Sequence, residues 1–191
     1  MKKLLYLVHR LPYPPNKGDK ISSNNMLNYF SARWRVHLGT FVDDPEDWQY
    51  VDLVSSKCED CCIVNLPGWR RLTGSFSGLV TGQALSLSYY GNRELQDWVR
   101  TTIEHECPDA VLVFSGVMGR FVRDLLPAHV PVIFDAEDVD SEKWRSYGDS
   151  ARWPLSWLYR READKLLAYE RKMAASTSVT LFVSEEEADL F

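Results

Sequence analysis

The residues best suited to chemistry begin with the segment His9–Lys20, which holds three prolines and a glycine directly before a helical pattern. A glycine in that place, Gly18, lets backbone N–H groups and a helix N-terminus come close to an anionic or hydroxyl-rich ligand. The spacing fits neither the dinucleotide fingerprint G-x-G-x-x-G nor the phosphate-binding P-loop. The segment is therefore either a ligand-binding turn of another kind or a rigid turn in which Asp19 starts the helix.

The second segment is Phe134–Trp144, in which five carboxylates fall within eight residues after an apolar run. Crowded carboxylates repel each other, so some pKa values rise and a general base or a hydroxyl-binding cluster becomes feasible. The alternative is an acidic helix start with solvated side chains, which the helix dipole favours. We interpret Asp135 and Asp138 as functional and Glu142 as a surface residue. No distant motif supplies further ligands, so we predict no metal site.

Two further segments are less specific. Cys58, Cys61 and Cys62 invite a zinc interpretation, but a structural zinc site needs four ligands and no second pair of cysteines follows. Ordinary thiols are the prediction there, and no cofactor is expected. The segment Trp153–Tyr169 is rich in Trp, Tyr and Arg, which is typical either of a helix at a membrane surface or of a core-facing helix with a basic edge.

The elements that must position these residues alternate between short apolar runs and longer helical patterns. The predicted strands are Leu4–Val8, Val36–Phe41, Ile63–Leu66, Ala110–Phe114, Val130–Phe134 and Val179–Val183. The predicted helices are Asp19–Arg33, Asn92–Glu106, Met118–Leu126 and Trp153–Ala175, and Pro67–Ser88 is either a long surface loop or a short amphipathic helix. This alternation predicts an α/β, Rossmann-like fold with a mostly parallel sheet and helices on both faces. Ligands of such sheets bind at the carboxyl ends of the strands.

Composition sets limits on function and location. The chain has 191 residues and a formal net charge of -5, which argues against a nucleic-acid partner because no basic footprint is present. No signal peptide or membrane-spanning run is evident. We therefore expect a cytoplasmic protein, with any membrane contact peripheral to the inner face of the cell membrane.

The end of the sequence predicts a longer protein. Ser184 and Glu187 match a capping box that opens a helix directly after the last strand. The sequence stops two turns into that helix, at Phe191, so we expect a continuation in the full-length protein.

The segments His9–Lys20, Asp135–Trp144 and Val183–Glu187 together resemble sugar transferases associated with PEP-CTERM/exosortase systems, which are retaining family 4 glycosyltransferases of GT-B architecture. The resemblance spans almost the whole chain, and its specific part is Pro14-Pro15-Asn16-Lys17-Gly18-Asp19-Lys20. It implies that residues 1–191 are one Rossmann-like acceptor-side domain. The nucleotide-sugar domain would lie outside this chain.

The resemblance also implies roles for individual residues. Those expected to bind substrate in the cleft between the two domains are His9, Asn16, Lys17, Gly18, Asp19, Lys20, Ser184 and Glu185. Many relatives carry a histidine that contacts the transferred sugar where this chain has Glu137 or Asp138, and the expected catalytic residues are Asp135, Glu137 and Asp138.

The expected activity is transfer of a sugar from a nucleotide-sugar donor to an exopolysaccharide or a lipid-linked saccharide acceptor, with no turnover by residues 1–191 alone. Two alternatives remain open at this point. One is a non-enzymatic carbohydrate- or nucleotide-binding α/β module, and the other is an unrelated small α/β enzyme that uses the acidic cluster.

Overall fold

A computed structural model of the chain describes residues 1–68, 82–125, 127 and 129–190. Its strands are β1 Lys3–Val8, β2 Arg35–Val42, β3 Asp60–Asn65, β4 Ala110–Phe114, β5 Val132–Asp135 and β6 Val179–Leu181. Its α-helices are α1 Gly18–Ser31, α2 Val51–Ser55, α3 Leu85–Tyr89, α4 Arg93–Glu106, α5 Asp140–Ser150, α6 Leu155–Ser176 and α7 Glu185–Ala188. Two 3₁₀ helices, Pro45–Tyr50 and Gly116–Phe121, complete the described elements.

The six strands form one parallel sheet in the order β3-β2-β1-β4-β5-β6. This confirms the predicted α/β, Rossmann-like fold with its parallel sheet. The strand order reverses between β1 and β4. These two strands are neighbours in the sheet, where Leu4 pairs with Ala110, although they are far apart in the sequence. Loops that leave the carboxyl ends of β1 and β4 diverge to opposite faces, and a crevice opens between them.

Both faces of the sheet are covered. Alternate residues of β1 point to opposite faces, so that Leu5 and Leu7 pack in a core with α4 and α6, whereas Leu4, Tyr6 and Val8 pack in a core with α1 and α2. The central strands β1 and β4 are buried on both faces and read as continuous apolar runs, which made them predictable from the sequence. The edge strands β3 and β6 are partly exposed, so their prediction rested on short apolar runs alone.

Three predicted helices are confirmed, with ends shifted by a few residues: Asp19–Arg33 as α1, Asn92–Glu106 as α4 and Trp153–Ala175 as α6. Asn92 caps α4, since its side chain accepts a hydrogen bond from the Leu95 N–H at 3.0 Å. The predicted cap at the last helix is also confirmed, because the Ser184 hydroxyl accepts from the Glu187 N–H at 3.2 Å.

The prediction of a helix over Met118–Leu126 was wrong in type. The structure has the 3₁₀ helix Gly116–Phe121 followed by turns. This segment is buried nearly all round rather than along one stripe, and a Cβ added at Gly119 would lie 2.5 Å from the Met173 sulfur. The tighter 3₁₀ turn fits such a confined place. Of the segment Pro67–Ser88, residues 69–81 lie outside the described part of the chain, and α3 begins near its end.

Candidate functional site

A cleft of about 890 Å³ opens at the carboxyl edge of the sheet, where the strand order reverses. Loops after four strands contribute to it: β1, β4, β5 and β6. The helices α1, α3 and α5 and the 3₁₀ helix Gly116–Phe121 supply the remaining surface. Its lining residues are His9, Arg10, Gly18, Asp19, Ser22, Leu85, Ser86, Tyr89, Tyr90, Ser115, Val117, Glu137, Asp138, Asp140, Lys143, Trp144, Tyr147 and Val183.

The β1 side of the cleft, which consists of His9, Arg10, Gly18 and Asp19, is organised around an arginine. The Arg10 Nη1 donates to the Asp19 Oδ2 at 2.8 Å. The Arg10 Nε lies 2.9 Å from the Asp43 Oδ2 in an ion pair without hydrogen-bond alignment. One guanidinium thus neutralises two carboxylates, one in the cleft and one beyond the end of β2.

Asp19 is consequently a fixed anion. The His9 Nε2 lies 3.3 Å from its Oδ2. A hydrogen bond from His9, with the charge of Arg10 and the Lys20 N–H adding to it, holds the pKa of Asp19 well below its usual range despite its burial. His9 itself is held by stacking on Phe114, with ring centroids 6.1 Å apart and planes 4° from parallel. Because its oxygens are engaged, Asp19 orients its neighbours and does not act as a proton acceptor.

The β5 side of the cleft, which consists of Glu137, Asp138, Asp140 and Lys143, begins with an unusual turn. Glu137 has a φ of 56°, in the left-handed region that residues other than glycine rarely adopt. The buried Asp135 at the end of β5 stabilises this turn, because its Oδ1 accepts from the Glu137 N–H at 3.0 Å. Burial raises the pKa of Asp135. The aspartate shapes the backbone beneath the cleft, and Glu137 is the residue that reaches the cleft.

Among the described residues that line the cleft, Glu137 is the carboxyl group without a side-chain partner. It forms no hydrogen bond or ion pair through its side chain with any residue that the structure describes. Burial, together with the negative charges of Asp19 and Asp138, raises its pKa to about 7. A group with such a pKa can accept and release a proton near neutral pH, which is the property required of a general acid or base.

The other carboxylates of the β5 side have partners. Lys143 lies 2.8 Å from the Asp138 Oδ2 and 3.4 Å from the Asp140 Oδ1. The Ser115 hydroxyl donates to the Asp140 Oδ2 at 3.3 Å, and Ser115 itself has a φ of 71°. Among the lining residues four carboxylates therefore face two permanent cations, Arg10 and Lys143.

Aromatic rings form the rest of the cleft surface. Tyr89 and Tyr90 stand at the end of α3 with their ring centroids 5.0 Å apart, and Tyr90 also packs against His9. Trp144 and Tyr147 of α5 meet edge to face with centroids 5.9 Å apart. Flat apolar surfaces thus lie beside the carboxylates and hydroxyls.

The structure brings together only part of the predicted set. His9, Gly18, Asp19, Glu137 and Asp138 line the cleft. Members of the predicted set outside the lining are Asn16, Lys17, Lys20, Asp135, Ser184 and Glu185. Asn16, Lys17 and Glu185 are exposed, and Ser184 is the cap of α7.

The prediction that Lys20 is a cleft residue requires correction. It is 2% exposed and its ammonium forms a buried ion pair with Asp47 of the 3₁₀ helix Pro45–Tyr50. Successive helical residues are rotated by about 100°, so that a lysine two residues after Gly18 leaves the cleft side of α1 and meets the neighbouring segment.

Several cleft residues were not assigned from the sequence. Arg10 and Lys143 stand inside the two segments singled out, and the presence of a cation in the same segment as the predicted carboxylates was a signal that could have identified them. Ser115 follows directly on a predicted strand end, which is a weaker signal. Tyr89 and Tyr90 had no such signal, because they reach the cleft only through the placement of α3.

The cysteines lie elsewhere. Cys61 and Cys62 belong to the edge strand β3, Cys58 precedes it, and all three are free thiols. A hydrogen bond from Cys58 lowers the pKa of Cys61 to about 6, and burial raises the pKa of Cys62 to about 12. Within the described ranges no group of three or more His, Cys, Asp or Glu side chains is arranged to hold a metal ion.

No helix in the described part of the chain is long and apolar enough to cross a membrane. Comparison of the sequence with protein-family models gives no match. Comparison with curated proteins gives no match either. The geometry and charge of the cleft are therefore the observations that bear on function.

Proposed function

We propose that this chain is the acceptor-binding half of a retaining GT-B glycosyltransferase, which transfers a sugar from a nucleotide-sugar to an exopolysaccharide or lipid-linked saccharide acceptor. The observation that carries the proposal is the unpaired Glu137, with its pKa near 7, in a cleft that also holds hydroxyls and aromatic rings. The resemblance of the His9–Lys20 and Asp135–Trp144 segments to these enzymes supports it as well.

The composition of the cleft suits a neutral saccharide. Carboxylates and serine hydroxyls can hydrogen-bond the hydroxyls of a sugar. The C–H faces of a sugar ring pack well on aromatic side chains, of which Tyr90 and Trp144 are the examples on either side. Such pairing of apolar surface with a few placed polar groups is the usual composition of a small-molecule site.

The charge of the cleft disfavours a diphosphate. Its two permanent cations are already engaged by Asp19, Asp138 and Asp140, and Glu137 adds a further carboxyl group. An acceptor role therefore fits these residues better than a donor role, and the nucleotide-sugar would be held mainly by a second domain.

In the proposed reaction Glu137 takes the proton of the acceptor hydroxyl. The acceptor oxygen forms a bond to the anomeric carbon of the donor sugar on the same face from which the diphosphate leaves, while the bond from that carbon to the diphosphate oxygen breaks. The configuration is thereby retained, and the nucleoside diphosphate departs. Asp135 holds the backbone that presents Glu137, and Asp138 fixes Lys143. We expect no turnover from residues 1–191 alone, and robust nucleotide-sugar hydrolysis by this chain would contradict the proposed division of roles.

The alternative is a binding module without catalysis. One observation favours it: this chain by itself supplies a cleft of about 890 Å³ in which carboxylates and hydroxyls lie beside aromatic rings. The two proposals share a saccharide ligand and differ in whether a longer protein shows transferase activity.

The test is a titration of the chain with neutral methyl glycosides and, separately, with uridine diphosphate, followed by amide NMR. We expect a glycoside to shift the amides of Gly18, Glu137 and Trp144. Shifts with the diphosphate and none with any glycoside would contradict the acceptor role.

Two glycines supply a matched pair of variants. A Cβ at either Gly18 or Gly68 would meet no described atom within 4 Å, so both positions have room for a side chain, but only Gly18 lines the cleft. Gly18→Val should weaken glycoside binding about tenfold or more, because its side chain enters the ligand space. Gly68→Val should leave binding unchanged, and equal effects of the two variants would remove the cleft as the binding site.

We also propose a peripheral membrane contact through the beginning of α6. The support is the exposure of Trp153, Leu155 and Trp157, which are 83%, 51% and 58% exposed. Sedimentation with anionic vesicles tests it: the double variant Trp153→Ser/Trp157→Ser should lose binding, and Trp48→Ser, another exposed tryptophan at 43%, should not. Equal binding of the wild type, the double variant and Trp48→Ser to the vesicles would contradict the proposed membrane contact.

A further inference from the structure

The three α-helices that line the cleft all begin without a side-chain cap of their own, and two of them, α3 and α5, have an apolar residue at the N-cap position. The N-cap position of α3 is Ala84, and that of α5 is Val139. Neither side chain can accept a hydrogen bond, although the first N–H groups of a helix have no partner within it. These N–H groups lie in or beside the buried core, where an unpaired donor is costly.

The missing partner of α3 is supplied by the long helix α6. The side chain of Glu162 is completely buried and reaches α3 with both oxygens: Oε2 accepts from the Leu85 N–H at 2.6 Å, and Oε1 accepts from the Ser86 N–H at 2.8 Å. In the middle of α3 the Arg120 guanidinium donates a hydrogen bond to the Leu87 carbonyl. A five-residue helix has little stability of its own, so these contacts decide where it lies.

The missing partner of α5 comes from the same face of α6, about two turns further on. The Ser141 hydroxyl donates to the Glu170 Oε2 at 2.6 Å. Burial raises the pKa of this carboxyl group, and the nearby backbone N–H groups of Ser141 and Asp140 oppose the rise. Glu170 is 3% exposed. At its other end α5 approaches α6 closely, since a Cβ at Gly148 would lie 2.8 Å from the Arg160 side chain.

The two capped helices carry opposite parts of the cleft. Leu85, Ser86 and Tyr89 of α3, with Tyr90 directly after it, line one part. The part carried by α5 consists of Asp140, Lys143, Trp144 and Tyr147. A shift of either helix start would move these side chains relative to Glu137.

We propose that Glu162 and Glu170 are positioning residues of the cleft, which act from α6 as remote caps for α3 and α5 and so set the distance between the aromatic and charged parts of the site. The two residues touch no ligand in this arrangement. Their effect passes through the backbone of the helices that they hold.

The first test needs no variant and no ligand, so its failure is distinguishable from a failure of the proposed function. In the wild-type chain we expect slow hydrogen exchange at the amides of Leu85, Ser86, Asp140 and Ser141, which have no acceptor within their own helices. Exchange of these amides at unprotected rates would overturn the proposal.

The second test uses Glu162→Gln and Glu170→Gln. Glutamine keeps one acceptor oxygen and replaces the other by an N–H donor, so one buried amide loses its partner. Glu162→Gln should accelerate exchange at Leu85 and Ser86 roughly tenfold to a hundredfold and leave Asp140 and Ser141 unchanged. Glu170→Gln should show the converse, with a shift of the Trp144 indole N–H resonance.

The matched control is Asp164→Asn. Asp164 is an exposed acidic residue of the same helix, and it also contacts α5, through an ion pair of 3.4 Å with Arg145. It should leave exchange at all four amides unchanged. Acceleration in this control equal to that in the glutamine variants would overturn the proposal, because the effect would then follow from any loss of charge on α6.

The third test is rescue by a local cap. If the glutamine variants only lowered the stability of the whole fold, a cap would not restore protection at one helix alone. Ala84→Ser places a hydroxyl at the start of α3, and Val139→Thr does so at the start of α5 with little change of shape. Added to Glu162→Gln and Glu170→Gln respectively, each should restore protection at its own helix only. Failure of both rescues in folded variants would overturn the capping role.

Discussion

The β1 side and the β5 side of the cleft each contain a carboxyl group, and the pKa values of the two groups are shifted in opposite directions. Asp19 and Glu137 are both partly buried carboxyl groups, and burial alone would raise the pKa of each. Asp19 has His9 and Arg10 as partners, so that its pKa falls well below the usual range. Burial raises the pKa of Glu137 to about 7, and the negative charges of Asp19 and Asp138 add to the rise. Since both groups are partly buried, the partners that each one faces decide which carboxyl group can take up a proton.

The largest expected effect comes from removing the cation of the β1 side. Arg10→Met leaves Asp19 and Asp43 partly buried without their shared partner, which should cost about 2–3 kcal/mol of unfolding free energy at pH 7. The lowered pKa of Asp19 stabilises the fold above the ordinary aspartate range and ceases to do so at lower pH. The difference from wild type should therefore shrink below about pH 4.

Urea denaturation at pH 7 and pH 3.5 measures this effect. The control is Arg93→Met, which removes an exposed arginine that lies 3.7 Å from Asp97 on the surface of α4. It should leave the denaturation midpoint almost unchanged. Equal stability of Arg10→Met and wild type at pH 7 would mean that Arg10 does not stabilise the β1 side of the cleft.

The second prediction concerns Glu137→Gln. A raised pKa in the folded state means that the wild type loses stability as pH rises from the ordinary glutamate range through about 7. The amide has no charge to bury, so Glu137→Gln should match wild type at pH 4 and exceed its stability at pH 8. The gain should be no more than about 1 kcal/mol, because the side chain is partly solvated.

Denaturation midpoints between pH 4 and pH 8 provide the measurement, with the exposed Glu186→Gln of α7 as control. The control should run parallel to wild type throughout. A wild-type stability that rises over this range relative to Glu137→Gln would reverse the assignment of Glu137 as the carboxyl group with the raised pKa.

The smallest effect is expected from Lys143→Met. The charge of Lys143 lowers the pKa of Glu137, and its loss also leaves Asp138 and Asp140 uncompensated. The midpoint of Glu137 in a carbon-13 NMR titration should rise by about half a pH unit, a modest amount because water screens these groups. The exposed Lys165→Met should not change it. A lower midpoint in Lys143→Met would contradict the conclusion that the charge of Lys143 lowers the pKa of Glu137.

The fold was predictable where a short stretch of the sequence is enough to identify an element, such as an apolar strand or a helix cap. Runs such as Leu4–Val8 and Ala110–Phe114 are apolar throughout because both faces of the sheet are covered. The Ser184 cap was predictable for the same reason, since cap and partner stand three residues apart.

The site was less predictable because its chemistry depends on partners distant in sequence. Lys20 is in the predicted loop, but its buried position follows from Asp47. Arg10 is directed by Asp43 as much as by Asp19. The apolar N-cap positions Ala84 and Val139 gave no sign of Glu162 and Glu170, which compensate for them from another helix.

The strand order has a consequence for how the cleft comes into existence. Leu4 of β1 finds its partner in β4 only at Ala110, and the lining of the cleft extends from His9 to Val183. Closing such long loops is slow relative to forming local helices. During synthesis, β1 can pair with β2 well before β4 has left the ribosome, whereas the two sides of the cleft meet only after residues 137–143 have also emerged. The binding surface thus forms later than the β1–β2 pair on which one side of it is built.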